Sequence, residues 1–145
     1  CCVRRSASRG RPSSGSGSRR TSRGCAAASS TPTCSGGTTP WDIFFGGTKK
    51  VIQQIDLGNA IDGGGDPLAL IKKYPGRTTT IHLKEFSKTK PDAFVGEGDV
   101  PWKAVFEACE TVGGTEWYIV EYEHESQPAI PAVGRCLANL RKMGK

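Results

Sequence analysis

The stretch Thr78-Thr79-Thr80-Ile81-His82-Leu83-Lys84-Glu85 decides how this chain is read. Its β-branched opening favours an extended strand, because two heavy atoms on Cβ fit a pleated surface better than a helical turn. The strand then delivers the imidazole of His82, the ammonium of Lys84 and the carboxylate of Glu85 at its C-terminal end. Two other segments finish alike: Val51 to Ile55 runs into Asp56, and Trp117 to Val120 runs into Glu121.

Between these strands the sequence has helix signals. Thr39-Pro40-Trp41-Asp42 offers an N-cap, a proline at the first helical position and an acid three residues on that can reach back to the cap; Gly46-Gly47 ends the helix. Asp66-Pro67 is a second cap, opening a helix to about Lys73 with Leu68, Ile71 and Leu70 on one face. Pro101 opens a third, running to Val112, with Trp102, Val105, Phe106 and Cys109 at helical spacing. A last helix runs from about Pro128 to Met143, with Leu137 and Leu140 in its stripe. The order α-β-α-β-α-β-α predicts an α/β fold with parallel strands and helical crossovers. Acid and imidazole groups at matching strand ends suggest a metal site at the top of a barrel. A closed barrel needs about eight strands and about 250 residues, so the expected fold is a partial TIM barrel whose sheet edges require a partner.

The totals divide at residue 40. The 145-residue chain has a net charge of +6, but residues 1–40 hold seven Arg and no acid. Residues 41–145 hold thirteen basic and fourteen acidic residues, a net −1, so the basic balance describes the N-terminal segment alone. Cys1, Cys2, Cys25 and Cys34 lie in that segment. Cys109 and Cys136 lie on helical stretches and are expected to be small buried hydrophobes, since no Cys-x-x-Cys spacing points to zinc. No apolar run approaches the roughly 20 residues of a membrane span, and no signal peptide is recognisable; a cytoplasmic location is the default expectation.

Residues 1–37 have little apolar surface to offset the cost of ordering a backbone, and are expected to be disordered. An Arg/Ser-rich arm of this kind binds polyanions when it is functional; the plainer reading is a solvated tail. A third reading rests on usage: every basic residue in the first forty is Arg, whereas ten of the thirteen that follow are Lys. That change, with Cys1 in place of an initiating Met, is the mark expected of a wrong reading frame or misjudged gene start on a fragment.

Asp56, His82 and Glu121 form a mixed nitrogen and oxygen ligand set suited to Mn, Co, Mg or Zn. A divalent ion on a hydroxy-carbonyl favours an enediolate, and Glu121 is placed to remove the α-proton. Taken singly, Asp56 reads as a turn or cap residue, His82 as a hydrogen-bonded structural histidine and Glu121 as the partner of Lys84; their joint placement at three strand ends favours the metal. Lys84 shares the His82 side by period two and is a candidate substrate-binding group. Asn59 is a weaker candidate, since a turn role explains it, and Arg77 reads as a surface residue. Gly96-Glu97-Gly98 lacks any nucleotide-loop spacing and is expected to let a loop fold over the site; His124 reads as a solvated loop residue.

Together, Ile55-Asp56-Leu57-Gly58-Asn59, Tyr74-Pro75-Gly76-Arg77, Ile81-His82-Leu83-Lys84-Glu85, Gly96-Glu97-Gly98-Asp99-Val100-Pro101-Trp102 and Val120-Glu121 resemble the C-terminal part of the sugar phosphate isomerase/epimerase family. The resemblance covers about residues 38–145. It implies strands six to eight of a xylose isomerase-like TIM barrel, with Asp56, His82 and Glu121 on metal-ligand positions and Glu121 also the acid/base. It implies a metal-dependent enzyme acting on a small-molecule sugar or sugar phosphate by proton transfer through an enediolate. Two positions depart from the pattern. Asn59 stands where many members carry a histidine, and the Arg/Ser segment replaces strand five and its fourth ligand, so the isolated chain is expected to be inactive. The alternatives are a phosphodiester hydrolase of the related AP endonuclease type, which needs more histidines, and a polyanion-binding protein using the Arg-rich tail.

Overall fold

The strand carrying His82 lies inside a four-stranded sheet. In the computed structural model, which describes residues 2–4 and 38–145, the strands β1 (Cys2–Arg4), β2 (Gln54–Asp56), β3 (Thr80–Leu83) and β4 (Trp117–Val120) are ordered β1-β4-β3-β2. β2, β3 and β4 are parallel, with Asp56 opposite His82 and His82 opposite Ile119. The helices are α1 (Pro40–Gly47), α2 (Leu57–Asp62), α3 (Pro67–Lys73), α4 (Trp102–Ala108) and α5 (Ala129–Lys142). α4 runs on into a single π-helical turn at Cys109–Gly113. The α/β class and the partial barrel expected from the sequence are both present.

One face of the sheet holds the core. Ile55, Ile81, Leu83, Tyr118 and Val120 pack with Ile71, Val105, Phe106, Cys109 and Leu140 of the helices. Period two along each strand sends Asp56, His82 and Glu121 to the opposite face. The stripe of Trp102, Val105, Phe106 and Cys109 is buried, as is Cys136.

Local contacts sharpen several of these expectations. Of the turn and cap roles open to Asp56, the structure takes the cap: its Oδ1 accepts from the Asn59 amide at 2.8 Å and starts α2. Asp42 does more than close its cap. Its amide donates to Thr39 Oγ1 at 3.1 Å, and its carboxylate, held below its usual value by Lys73, Tyr74 and Thr39, accepts from the Tyr74 hydroxyl and pairs with Lys73, both at 2.7 Å. Residues 2–4, placed by sequence in a disordered tail, pair antiparallel with β4, whose edge offers main-chain groups to any extended segment; the rest of that tail lies outside the described residues.

Arg77, expected at the surface, is a clamp instead. Its guanidinium donates to the carbonyls of Phe45, Thr48 and Val51 and to Thr48 Oγ1, at 2.5–2.9 Å. This folds Thr48–Ile52 around a cation, which is why β2 begins at Gln54 and not at Val51. Arg77→Ala is expected to lower unfolding stability in urea by about 2 kcal/mol, the scale of losing charge-assisted donors to partly buried carbonyls. Arg77→Lys should recover only part, because one ammonium cannot reproduce the fork.

Candidate metal centre

Asp56 and His82 face one another because β2 and β3 are in register at those residues, and Glu121 follows one pleat beyond Ile119, the β4 partner of His82. The Glu121 amide donates to the Leu83 carbonyl at 3.2 Å, which holds the end of β4 against β3. One ligand atom from each of Asp56, His82 and Glu121 lies within 4.8 Å of the others. His82 Nδ1 is 3.9 Å from Asp56 Oδ2 and in direct contact with Glu121 Oε2. Ligand atoms about 2.1 Å from a common ion stand roughly 3–4 Å apart, so the group needs little movement to share one.

The test of fit is Asp56. Its Oδ1 is used as the cap of α2, while its Oδ2 is buried with no hydrogen-bond donor. A desolvated carboxylate oxygen without a donor is costly unless a cation faces it. Burial accordingly pushes the Asp56 carboxyl above its usual value, the Asn59 amide opposing it. Glu121 is also raised, first by desolvation and then by its neighbour Glu123 and by Asp56. These residues fit a divalent ion, and a mixed N/O set of this kind suits Mn, Co, Mg or Zn.

The Asp56 shift sets a stability prediction. With its folded value above 3.8, the native state binds more protons than the unfolded chain between the two, so stability falls as pH rises through that window. Above it the full cost remains. Asp56→Asn keeps an oxygen to cap α2 and removes the charge. The metal-free variant is therefore expected to melt a few degrees higher than wild type at pH 7, with the difference vanishing in acid, as followed by circular dichroism.

Lys84 lies beside the trio. Its Nζ contacts Glu123 and is 4.0 Å from Glu121 Oε1, with the side chain only 15% exposed. Lys84 holds the Glu123 carboxyl below its usual value, a pairing sequence reasoning missed although Glu123 is two residues from Glu121. Asn59 meets Asp56 through its main-chain amide. His124 is exposed, its ring edge-on to Tyr122 at 5.3 Å.

The loop 86–100 is anchored beside this centre by Glu85. The amides of Phe86 and Val100 donate to Glu85 Oε1 at 3.0 and 3.2 Å, and the Gly96 amide and Trp102 Nε1 donate to Oε2 at 2.7 and 2.8 Å. A Cβ on Gly98 would stand 2.4 Å from the Phe86 carbonyl oxygen, so the turn around Glu85 needs glycine there. Glu97 binds Arg135 and Lys90, and Phe94 stacks on Tyr122 at 4.9 Å, one residue past Glu121. The loop of the Gly96-Glu97-Gly98 segment is thus fastened next to the site, to the end of β4 and to α5. The signal for Glu85 in the sequence was its place between the strand and a glycine-rich loop that ends in Trp102.

No protein-family model matches the chain. In sequence it is similar to the inosose dehydratase of Geobacillus thermodenitrificans, 29% identical over 101 residues that take in 57% of this chain and 34% of that protein. The inosose dehydratase of Lacticaseibacillus casei is 28% identical over 100 residues, 57% of this chain and 34% of that protein. In fold it is similar to two solved sugar phosphate isomerase/epimerases of Parabacteroides distasonis. One has a TM-score of 0.62 at 24% identity over 73% of this chain and 37% of that one; the other has 0.63 at 23% over 76% and 38%. The chain therefore spans about a third of the length of the curated relatives it matches. The likeness is thus one of sequence to the inosose dehydratases and of fold to the two solved structures, each at partial coverage.

Proposed function

We propose, for a chain of sugar isomerase/epimerase likeness, that Asp56, His82 and Glu121 hold one divalent metal ion and that Glu121 moves a proton α to the carbonyl of a small polyhydroxylated substrate. The observation that carries the reading is the buried, donor-less Asp56 Oδ2 facing His82 beside Glu121. When bound, the ion supplies Lewis acidity that polarises a carbonyl and lowers the barrier to loss of its α-proton.

The chain's own residues supply the rest. Glu121 has a raised carboxyl, which makes it a stronger base than a free carboxylate and better matched to carbon acids near neutral pH. It takes the α-proton on one carboxylate oxygen. Returning that proton to the neighbouring carbon, while the hydroxyl proton there passes to the former carbonyl oxygen, gives an isomer; protonation of the same carbon from water on the opposite face, with Glu121 releasing its proton to solvent, gives an epimer. Where a hydroxyl sits β to the carbonyl, the same loss followed by departure of water gives a dehydration, the reaction named in the inosose dehydratases. Lys84, already poised between Glu121 and Glu123, donates to a substrate hydroxyl or phosphate oxygen. Asn59, one turn beyond Asp56 on α2, is a further candidate for a substrate hydroxyl. The loop behind Glu85 keeps solvent from one side of the proton transfer.

A phosphodiester hydrolase of the AP endonuclease type is the weaker reading, because the described residues bring together one cluster of three ligands. The test is a titration with MnCl2 or CoCl2, followed by NMR detection of deuterium uptake from solvent at the carbon α to the carbonyl of ketose, ketose phosphate and inosose substrates. One saturable metal site with metal-dependent deuterium uptake is expected. Absence of saturable binding overturns the reading at the metal; binding without exchange in any substrate overturns the assignment of Glu121 in this chain.

A further inference from the structure

We infer that Glu123 is a positioning residue of the metal centre: by holding the Lys84 ammonium it keeps that cation off Asp56 and Glu121, leaving their oxygens open to a divalent ion. This rests on the reading that Asp56, His82 and Glu121 are the ligands. Lys84 Nζ is in direct contact with Glu123 Oε2 and 4.0 Å from Glu121 Oε1. An ammonium–carboxylate hydrogen bond is about 2.8 Å long, so a shift of about 1 Å would seat Nζ on Glu121. Asp56 Oδ2, meanwhile, is buried with no donor. Lys84 therefore stands at the rim of the trio without donating to either carboxylate.

Two features make this more than a surface ion pair. The root of Lys84 is fixed, because Gly58 of α2 lies against its stem: a Cβ there would stand 2.9 Å from Lys84 Cγ and 3.2 Å from Lys84 Cβ. The freedom that remains is in the last bonds of the side chain, which carry a compact ammonium. The choice of partner also runs against burial. The Glu123 side chain is 60% exposed, against 23% for Glu121 and 5% for Asp56. Attraction between charges grows as water is excluded, so without Glu123 the ammonium is drawn inward, toward Glu121 and Asp56. There it would compete with a metal ion for carboxylate oxygens. A plain surface pair, by contrast, acts on a nearby ion only through two opposite, screened charges that largely cancel.

The test is isothermal titration of MnCl2 into wild type, Glu123→Gln, Lys84→Gln and the double variant, with the Glu121 carboxyl carbon followed by NMR in the same chains without metal. Glu123→Gln is expected to weaken Mn²⁺ binding about tenfold, the lower end of what loss of a partner behind the ligands costs. Adding Lys84→Gln should restore the wild-type affinity or exceed it. Lys84→Gln alone should tighten binding by less than about threefold, the share of one screened charge. Glu125→Gln removes the same charge at an exposed residue of the same loop and should bind as wild type. Without metal, the Glu121 signal should move in Glu123→Gln and return in the double variant; Glu123 is absent from both, so the difference reports Lys84. Equal and opposite changes in the two single variants would mean two independent charges acting through space, and would overturn the inference. So would Glu123→Gln binding as wild type, or a Glu121 signal that Glu123→Gln leaves in place. Circular dichroism checks the folding of each variant, and Glu123→Asp, which keeps the charge on a shorter arm, should recover part of the affinity. Wild type that binds no Mn²⁺ removes the metal reading, and the NMR shifts then decide by themselves whether Glu123 holds Lys84 off Glu121. Wild-type binding with an unmoved Glu121 signal removes this inference alone.

Discussion

His82→Ala is expected to abolish measurable Mn²⁺ binding, a loss of more than about 100-fold, beyond the roughly 10–100-fold that follows loss of an outer partner. His82 is the only nitrogen donor in the trio, and its Nδ1 stands between Asp56 Oδ2 and Glu121 Oε2. Without it, two carboxylates with raised proton affinity remain to hold the ion, and protons compete for both. That competition gives the pH dependence its sign. Metal ligands must be deprotonated, so affinity rises with pH through the titration of Asp56 and Glu121 and does so later than for free carboxylates. Isothermal titration with MnCl2 measures both effects. His124→Ala, at an exposed histidine outside the trio, is the control and should bind as wild type. If His82→Ala binds Mn²⁺ with unchanged affinity, these residues are not the site.

The largest loss of stability is expected at Glu85. Glu85→Ala removes one carboxylate that accepts from four donors, the Phe86, Gly96 and Val100 amides and Trp102 Nε1. Val100 and Trp102 are buried, 5% and 7% exposed, so at least part of the set cannot turn to water. Leaving buried donors unmade costs about 1–3 kcal/mol each before relaxation; a net loss of about 4 kcal/mol is expected in urea, a large share of the roughly 5–15 kcal/mol of a typical domain. The fluorescence of Trp102 should change with it. Glu85→Gln should fall between, since its amide keeps one acceptor oxygen and turns a donor toward donors. Gly98→Ala, which drives a methyl against the Phe86 carbonyl, should disturb the same loop. A Glu85→Ala chain within about 1 kcal/mol of wild type would mean that the loop is held from α5 through Glu97 and Arg135 instead.

The two expectations rest on different kinds of information. The alternation that sends Ile81 and Leu83 inward and His82 to the other face is local, and it was legible in Thr78–Glu85. So were the caps at Thr39 and Asp66 and the stripe from Trp102 to Cys109, because periodicity and capping chemistry act within one or two turns. Asp56, His82 and Glu121 could be singled out for the same reason: each ends a recognisable strand, and parallel strands bring their ends together.

Long-range pairing was not legible. Arg77 binds carbonyls 26 to 32 residues away, and nothing near it in the sequence marks main-chain oxygens as its partners. Glu85 gathers donors from a loop whose path depends on where α4 and α5 pack, and Asp42 gains Tyr74 and Lys73 from the far end of α3 for the same reason. Sequence by itself determined the strand and helix order, the faces of the strands and the three candidate ligands, since these follow from local sterics and period. Only the tertiary structure decided that one oxygen of Asp56 is spent on α2 while the other is left buried without a donor, because that depends on register between strands and on what packs above them.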